Sequence, residues 1–107
     1  MNCETKTLPS GIVIENKPNK YEKYCWYIEG TYILHNEDEP SLEYKDGEKF
    51  RYQHGKCHRL DGPAREYPNG NKYHYYINDV FYNEEEYWIK IKEDSYLKDH
   101  PELEAFV

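Results

Sequence analysis

The shortages in this sequence narrow its class before any motif does. Among 107 residues there are one Met and three Phe, and hydrophobic residues make up only 37%. No apolar run approaches the ~18–20 residues that cross a bilayer as a helix, so no membrane span is expected. Basic residues are also scarce, with 14 Lys and Arg against 21 Asp and Glu and a net charge of −7. That balance argues against direct nucleic-acid binding and against attraction to anionic lipid. Cys3, Cys25 and Cys57 are too few, too far apart and odd in number to read as a disulfide framework. The start, Met1-Asn2-Cys3-Glu4, has neither the basic nor the apolar region of a secretory leader. These features lead us to expect a cytoplasmic protein with reduced thiols.

What the chain has in quantity is tyrosine. Thirteen Tyr and two Trp must supply much of the burial that Leu and Val usually provide. Tyr favours strands and tolerates a wet hydroxyl, which suits a thin, two-faced sheet better than a thick aliphatic core. At this length a single domain over residues 1–107 is expected.

The chain is punctuated by turn signals. Residues 1–10 are polar, with a frayed start expected. Leu8-Pro9-Ser10-Gly11 resembles Tyr67-Pro68-Asn69-Gly70 and opens onto a strand at Ile12-Val13-Ile14. Tyr24-Cys25-Trp26-Tyr27-Ile28 reads as a strand, and Tyr32-Ile33-Leu34 as its short partner. From there an internal repeat emerges at an offset of 23. His35 falls on His58, Asp38 on Asp61, Pro40 on Pro63, Glu43-Tyr44 on Glu66-Tyr67 and Asp46-Gly47 on Asn69-Gly70. Lys49-Phe50-Arg51-Tyr52 falls on Lys72-Tyr73-His74-Tyr75. Each unit reads as a β-hairpin around an Asx-Gly turn, with aromatic residues alternating along the returning strand.

A third unit starts at residue 76 and gives way to a helix. Asn83 is placed as an N-cap with Glu86 three residues on, and Tyr87, Trp88 and Ile91, with Ile89 as a further candidate, form an apolar stripe over a helix of roughly 83–93. Pro101 could open a further short turn. The predicted fold is therefore mainly β: an antiparallel β-meander of repeated hairpins over about 8–82, with a C-terminal α-helix in a cap over about 83–107. The cap carries eight acidic residues against three basic ones.

His58-Arg59-Leu60-Asp61-Gly62-Pro63-Ala64 resembles the core of MORN-like hairpin repeats, a family found in accessory proteins of tailed bacteriophages and giant viruses. Tyr75-Tyr76-Ile77-Asn78-Asp79 followed by Asn83-Glu84-Glu85-Glu86-Tyr87-Trp88 looks like that family's last unit running into a closing helix. The resemblance implies an elongated β-meander without catalytic apparatus, in a small viral accessory protein.

The residues that could carry chemistry each have a local explanation. His54, Cys57 and His58 form a compact cluster that could hold zinc with a further ligand, yet no second ligand pair exists, and no metal or other cofactor is assigned. Asp61 before Gly-Pro suits an Asx turn better than a general acid, and no nucleophile–base pair is in sequence context. An enzyme is not expected. The acidic runs Glu37-Asp38-Glu39 and Glu84-Glu85-Glu86, with Tyr52, Tyr75, Tyr76 and Trp88, are the candidate binding residues, because carboxylates steer encounter and Tyr and Trp supply rigid contact area. The expected partner is a host or viral protein, one with a basic nucleic-acid-binding surface if the protein acts by charge mimicry. A self-associating structural protein is the alternative, since strand edges pair, followed by a metal-binding protein using His54, Cys57 and His58.

Overall fold

The computed structural model describes residues 3–69 and 72–102. Ten strands precede one helix: β1 (Glu4–Thr7), β2 (Val13–Asn16), β3 (Glu22–Ile28), β4 (Leu42–Tyr44), β5 (Lys49–Phe50), β6 (Tyr52–Gln53), β7 (Lys56–Cys57), β8 (Arg65–Glu66), β9 (Tyr73–Ile77), β10 (Val80–Tyr82) and α1 (Glu84–Asp99). Eight of the strands form one antiparallel sheet in the order β1-β2-β3-β4-β5-β8-β9-β10, and β6 and β7 pair as a separate hairpin. The mainly β meander with a C-terminal helix expected from the sequence is the fold observed. The molecule is an elongated slab, 53 × 34 × 18 Å.

Two elements depart from the sequence expectation near the start. Residues 4–7, expected to fray, form the outermost strand, paired in register Glu4↔Asn16 to Thr7↔Val13. All four are exposed, so no hydrophobic alternation betrays the strand; backbone pairing holds it, with Asn16 Nδ2 donating to Glu4 at 3.2 Å and Lys6 over the Trp26 ring. Tyr32-Ile33-Leu34, expected as a partner strand, contributes only the isolated bridge Tyr27↔Leu34. The tight bend after Ile28, with Gly30 at φ +76°, brings the segment back beside β3, where Ile28 N–H donates to the Ile33 carbonyl and His35 N–H to the Trp26 carbonyl, too short a run to make a strand. On β3 a bulge between Glu22 and Tyr24 shifts the pairing with β4.

The internal repeat is present in the fold, with one correction to its spacing. Leu42 faces Phe50 in the first unit, and Arg65 faces His74 in the second. The offset is therefore 23 before each turn but 24 after it, because the second turn is one residue longer. Phe50 corresponds to His74 rather than Tyr73, and Tyr52 to Tyr76 rather than Tyr75. Backbone bonds repeat on the same schedule: Ser41 N–H donates to the Phe50 carbonyl as Ala64 N–H does to that of His74, and Gly55 N–H donates to Leu34 as Asp79 N–H does to Cys57. The Asn69-Gly70 turn itself lies partly outside the described residues.

Each unit contains a second turn that the sequence reading did not resolve. His54 and Gly55 join β6 to β7 with φ of 51° and 79°, and Asn78 and Asp79 join β9 to β10 with 48° and 69°. Two successive positive φ values fit the twist of a two-residue hairpin, and Asn and Asp tolerate them better than most side chains.

Two small cores flank the repeats. At one end Leu8, Ile14 and Trp26 are buried together, with Ile12 and Tyr24 against them. At the other, Tyr75, Ile77 and Tyr87 pack together, with Tyr82 and Ile91 against them. Between the cores, small residues do the packing. Ser41 and Ala64 occupy equivalent positions, and both have no exposed surface.

The helix runs six residues beyond the expected end. Nothing between Tyr87 and Asp99 breaks it, Lys90 pairs with Asp94 at 3.0 Å, and Pro101 then disfavours helical geometry at His100. Asn83 caps it as expected, its side-chain oxygen accepting from the Glu86 N–H at 2.8 Å. The chain enters a 3₁₀ turn at Pro101 and Glu102; the remainder of the expected cap, residues 103–107, lies outside the described residues. Among the described residues, no helix is long and apolar enough to cross a membrane.

Candidate functional site

Strand pairing sorts the side chains between two faces. Tyr24, Glu43, Lys49, Glu66 and Tyr73 share one face through the pairs Tyr24↔Glu43, Glu43↔Lys49, Lys49↔Glu66 and Glu66↔Tyr73. Tyr75 follows on that side, where the helix packs. Leu42, Phe50, Arg65 and His74 share the opposite face.

On the helix side, the bends of the two units come together around a polar cleft of about 340 Å³, lined by Glu37, Asp38, Arg51, His58, Arg59 and Asp61 among others. Arg51 Nη1 donates to the Asp38 carbonyl at 3.3 Å, and its Nη2 lies 3.7 Å from Glu66. The Arg51 Nε is buried without a hydrogen-bond partner, and burial beside Arg59 holds its guanidinium below the usual value. Arg59 donates through Nε to Asp61 at 2.8 Å and through Nη1 to the Pro63 carbonyl at 3.0 Å. The helix docks on the same bend: the fully buried Tyr87 donates to the Arg59 carbonyl at 2.6 Å and accepts from the Gly62 N–H. Gly62 leaves room here for the Arg59 guanidinium, which an added side chain would push aside. A Cβ would sit 2.9 Å from the Arg59 guanidinium carbon.

The acidic residues singled out in sequence are not equivalent. Glu37 is tied inward, accepting from Ser10 Oγ and His35 Nε2. The Ser10 bond first, then the His35 bond, holds its carboxyl below the usual range. Asp38 and Glu39 are exposed. Glu86 closes the helix cap by accepting from Asn83 Nδ2 at 2.9 Å. Glu84 and Glu85 are exposed at the same helix start, where Glu84 approaches the Tyr75 hydroxyl. Asp61, whose side chain is 85% exposed, lines the same cleft as Glu37 and Asp38. Its Arg59 partner holds it below the ordinary carboxylate value.

The aromatic candidates are divided between the faces. Tyr75 is corrected from a binding residue to a packing one: it is buried, with its ring 4.8 Å from that of Tyr87. Trp88 packs edge-on to Tyr75 and Tyr87 yet keeps 43% of its surface exposed. Tyr52 and Tyr76 sit on the opposite side. There the Tyr52 hydroxyl accepts from Arg65 at 3.2 Å, and the Arg65 guanidinium lies between the Phe50 and Tyr76 rings at 5.0 and 4.8 Å.

That opposite face carries a feature the sequence reading missed. Tyr44, Phe50, Tyr67, His74, Phe81 and Tyr76 form a continuous edge-to-face ladder, with ring centroids 5.1–5.8 Å apart. Such pairs add stabilisation beyond area burial. The signal was present in the repeat but hidden by the one-residue slip after the turn, which set Phe50 against Tyr73 instead of His74.

The cluster of His54, Cys57 and His58 has other duties. His58 Nδ1 accepts from the Asn78 N–H at 3.0 Å, and in the preceding unit His35 Nδ1 accepts from the His54 N–H at 2.9 Å. The motif histidine of each unit thus clips the positive-φ turn that follows it. Cys57 is buried, and its thiol is pushed up by burial, the opposite of an activated nucleophile. Among the described residues, no group of three or more His, Cys, Asp or Glu is arranged to hold a metal ion.

The fold defines an antiparallel meander of one large sheet and one separate hairpin, closed by a helix, and the site is a surface rather than an enclosed pocket. No family model matches the chain, and comparisons with curated proteins and with solved structures also yield no match.

Proposed function

We propose that this protein is a non-enzymatic interaction module that docks on a basic surface of a partner protein. The observation that carries the reading is the set of exposed carboxylates, Asp38, Glu39, Glu84 and Glu85, contributed by a bend and a helix start. Their internal cations, Arg51 and Arg59, are already engaged with backbone carbonyls, Glu66 and Asp61, so the exposed negative charge is left to attract a partner. The half-exposed Trp88 borders this region and offers an anchor of the kind that dominates interface energetics.

The resemblance to MORN-like repeats of viral accessory proteins supports a phage-encoded protein acting in the host cytoplasm. Occlusion of a basic, nucleic-acid-binding site on a host protein, including one of a defence system, is the inhibitory mechanism that fits this charge.

The test is affinity capture from host cells, followed by binding measurements on the identified partner. Paired reversals Asp38→Lys with Glu39→Lys, and Glu84→Lys with Glu85→Lys, leave Glu37 and the Glu86 cap intact. Each pair is expected to weaken binding and flatten its salt dependence. Unchanged affinity after both reversals rules the reading out.

A further inference from the structure

The sheet ends at β10 with an opening that the earlier units fill. Leu34 and Cys57 stand just before the two motif histidines, and each is covered by the turn of the following hairpin. Their carbonyls accept from the Gly55 and Asp79 N–H groups, and the Cys57 N–H donates to the Asp79 carboxylate. Phe81 is the next member of that series, since it faces Tyr76 as Cys57 faces Tyr52. No further hairpin follows it: β10 is the last strand of its sheet, and the anchor of α1, Tyr87, docks on the bend at Arg59 and Gly62. The two-residue turn makes Ile77–Val80 and Tyr75–Tyr82 the hydrogen-bonded pairs, so the Phe81 N–H and C=O both point outward. The strand Val80-Phe81-Tyr82 carries no charge, and Val80 and Phe81 are 52% and 55% exposed. The opposite edge, β1, carries Glu4 and Lys6, residues of the kind that discourage edge pairing.

We infer that β10 pairs with β10 of a second copy, antiparallel about a two-fold axis at Phe81. A residue that faces itself in an antiparallel hydrogen-bonded pair exchanges both bonds with its counterpart, so the outward N–H and C=O of the two chains satisfy each other. Val80 then faces Tyr82 of the second copy, twice. Phe81, which already stands edge-to-face with His74 and Tyr76, meets its own counterpart, and the aromatic ladder runs on through both copies. The flanking register sets Asp79 beside Asn83, so no like charges stand directly across the strands despite the net charge of −7. The turns that cover Leu34 and Cys57 are engaged within each chain, so a second copy meets the opening with its own edge.

A strand of three residues from each copy makes a contact well below the standard size, so a dissociation constant on the order of 100 µM to 1 mM is expected. Sedimentation of the full chain from about 20 µM to 2 mM brackets that value. Phe81→Lys sets like charges across the axis and should raise the dissociation constant at least about tenfold with the circular dichroism unchanged. Phe81→Tyr keeps the ring and should dimerise as the natural chain does.

Crosslinking reads the register without relying on the Phe81→Lys fold. Facing Cα atoms in such a pair are about 5.5 Å apart, within reach of a disulfide, whereas two Val80 Cα atoms are roughly 8 Å apart. In a Cys3→Ser background, Phe81→Cys should therefore form a covalent dimer under mild oxidation, and Val80→Cys should not. A monomer at every concentration, assembly beyond the dimer, a dimer indifferent to Phe81→Lys, or equal crosslinking by Val80→Cys and Phe81→Cys each overturns the assignment. No partner protein enters these measurements, so their failure is distinct from failure of the docking reading.

Discussion

The histidines show how one side chain can fix the second turn of its own unit. His58 is tuned by burial, which holds its imidazole below the ordinary value. As pH falls below about 6.5 the unfolded chain takes up this proton before the folded one does, so stability declines with acidity. Protonation also removes the Nδ1 lone pair that accepts the Asn78 N–H. His58→Asn, which can offer an oxygen acceptor instead, is expected to flatten the fall in urea midpoint between about pH 7 and pH 5. An unchanged slope would assign the acid sensitivity elsewhere. Asp79 does a related job on the same turn. Its carboxylate accepts from the Cys57 N–H at 2.7 Å while its own φ is 69°. Asp79→Asn keeps both properties and should be close to neutral. Asp79→Ala loses the acceptor and strains the turn, at a cost of about 1–3 kcal/mol by chemical denaturation. Ala64, with no exposed surface, leaves no room for growth; Ala64→Leu should cost about 1–3 kcal/mol through overpacking.

At the scale of the element, the helix is held by its cap and by one tyrosine. Its packing face is short, with Tyr87 the one buried residue along its length. Tyr87→Phe keeps the ring but removes the bonds to the Arg59 carbonyl and Gly62 N–H. The expected loss is about 1–2 kcal/mol, together with faster amide exchange through α1 while the exchange of β2 and β3 is unaffected. Asn83→Ala removes the cap and should cost about 1 kcal/mol. If exchange rose equally in β2 and β3, helix and meander would be one cooperative unit instead of neighbours in an array. The edge strand β1 shows the complementary lesson. Its four exposed residues bury little, and Lys6 lies over the Trp26 ring at 4.8 Å, so the strand shields a core residue without joining the core.

The whole molecule is thin because each unit contacts chiefly its neighbours. A compact chain of this length would have a radius of gyration of about 13 Å, against 15.8 Å for its Cα atoms here. Small-angle scattering at high dilution should return a value well above the compact one, and a compact value would mean that the meander folds back on itself. Such a slab has two broad faces and little interior, which is why its chemistry is on display: carboxylates at the bends on the helix side, and a ladder of rings on the other.

The sequence by itself determined the turns, the hairpin period, the capped helix and the mainly β class, because Gly, Pro, Asn and Asp act locally on φ and ψ and need no tertiary partner. It also determined the excess of negative charge. Only the tertiary structure decided which of those charges are free, since Glu37 is claimed by Ser10 from a distant segment, together with its near neighbour His35. It alone revealed the exposed backbone-paired strand β1, the one-residue slip that aligns the aromatic ladder, and the burial of Tyr75. In each case the deciding interaction joins residues on different elements, strand to strand or strand to helix, which local sequence alone does not bring together.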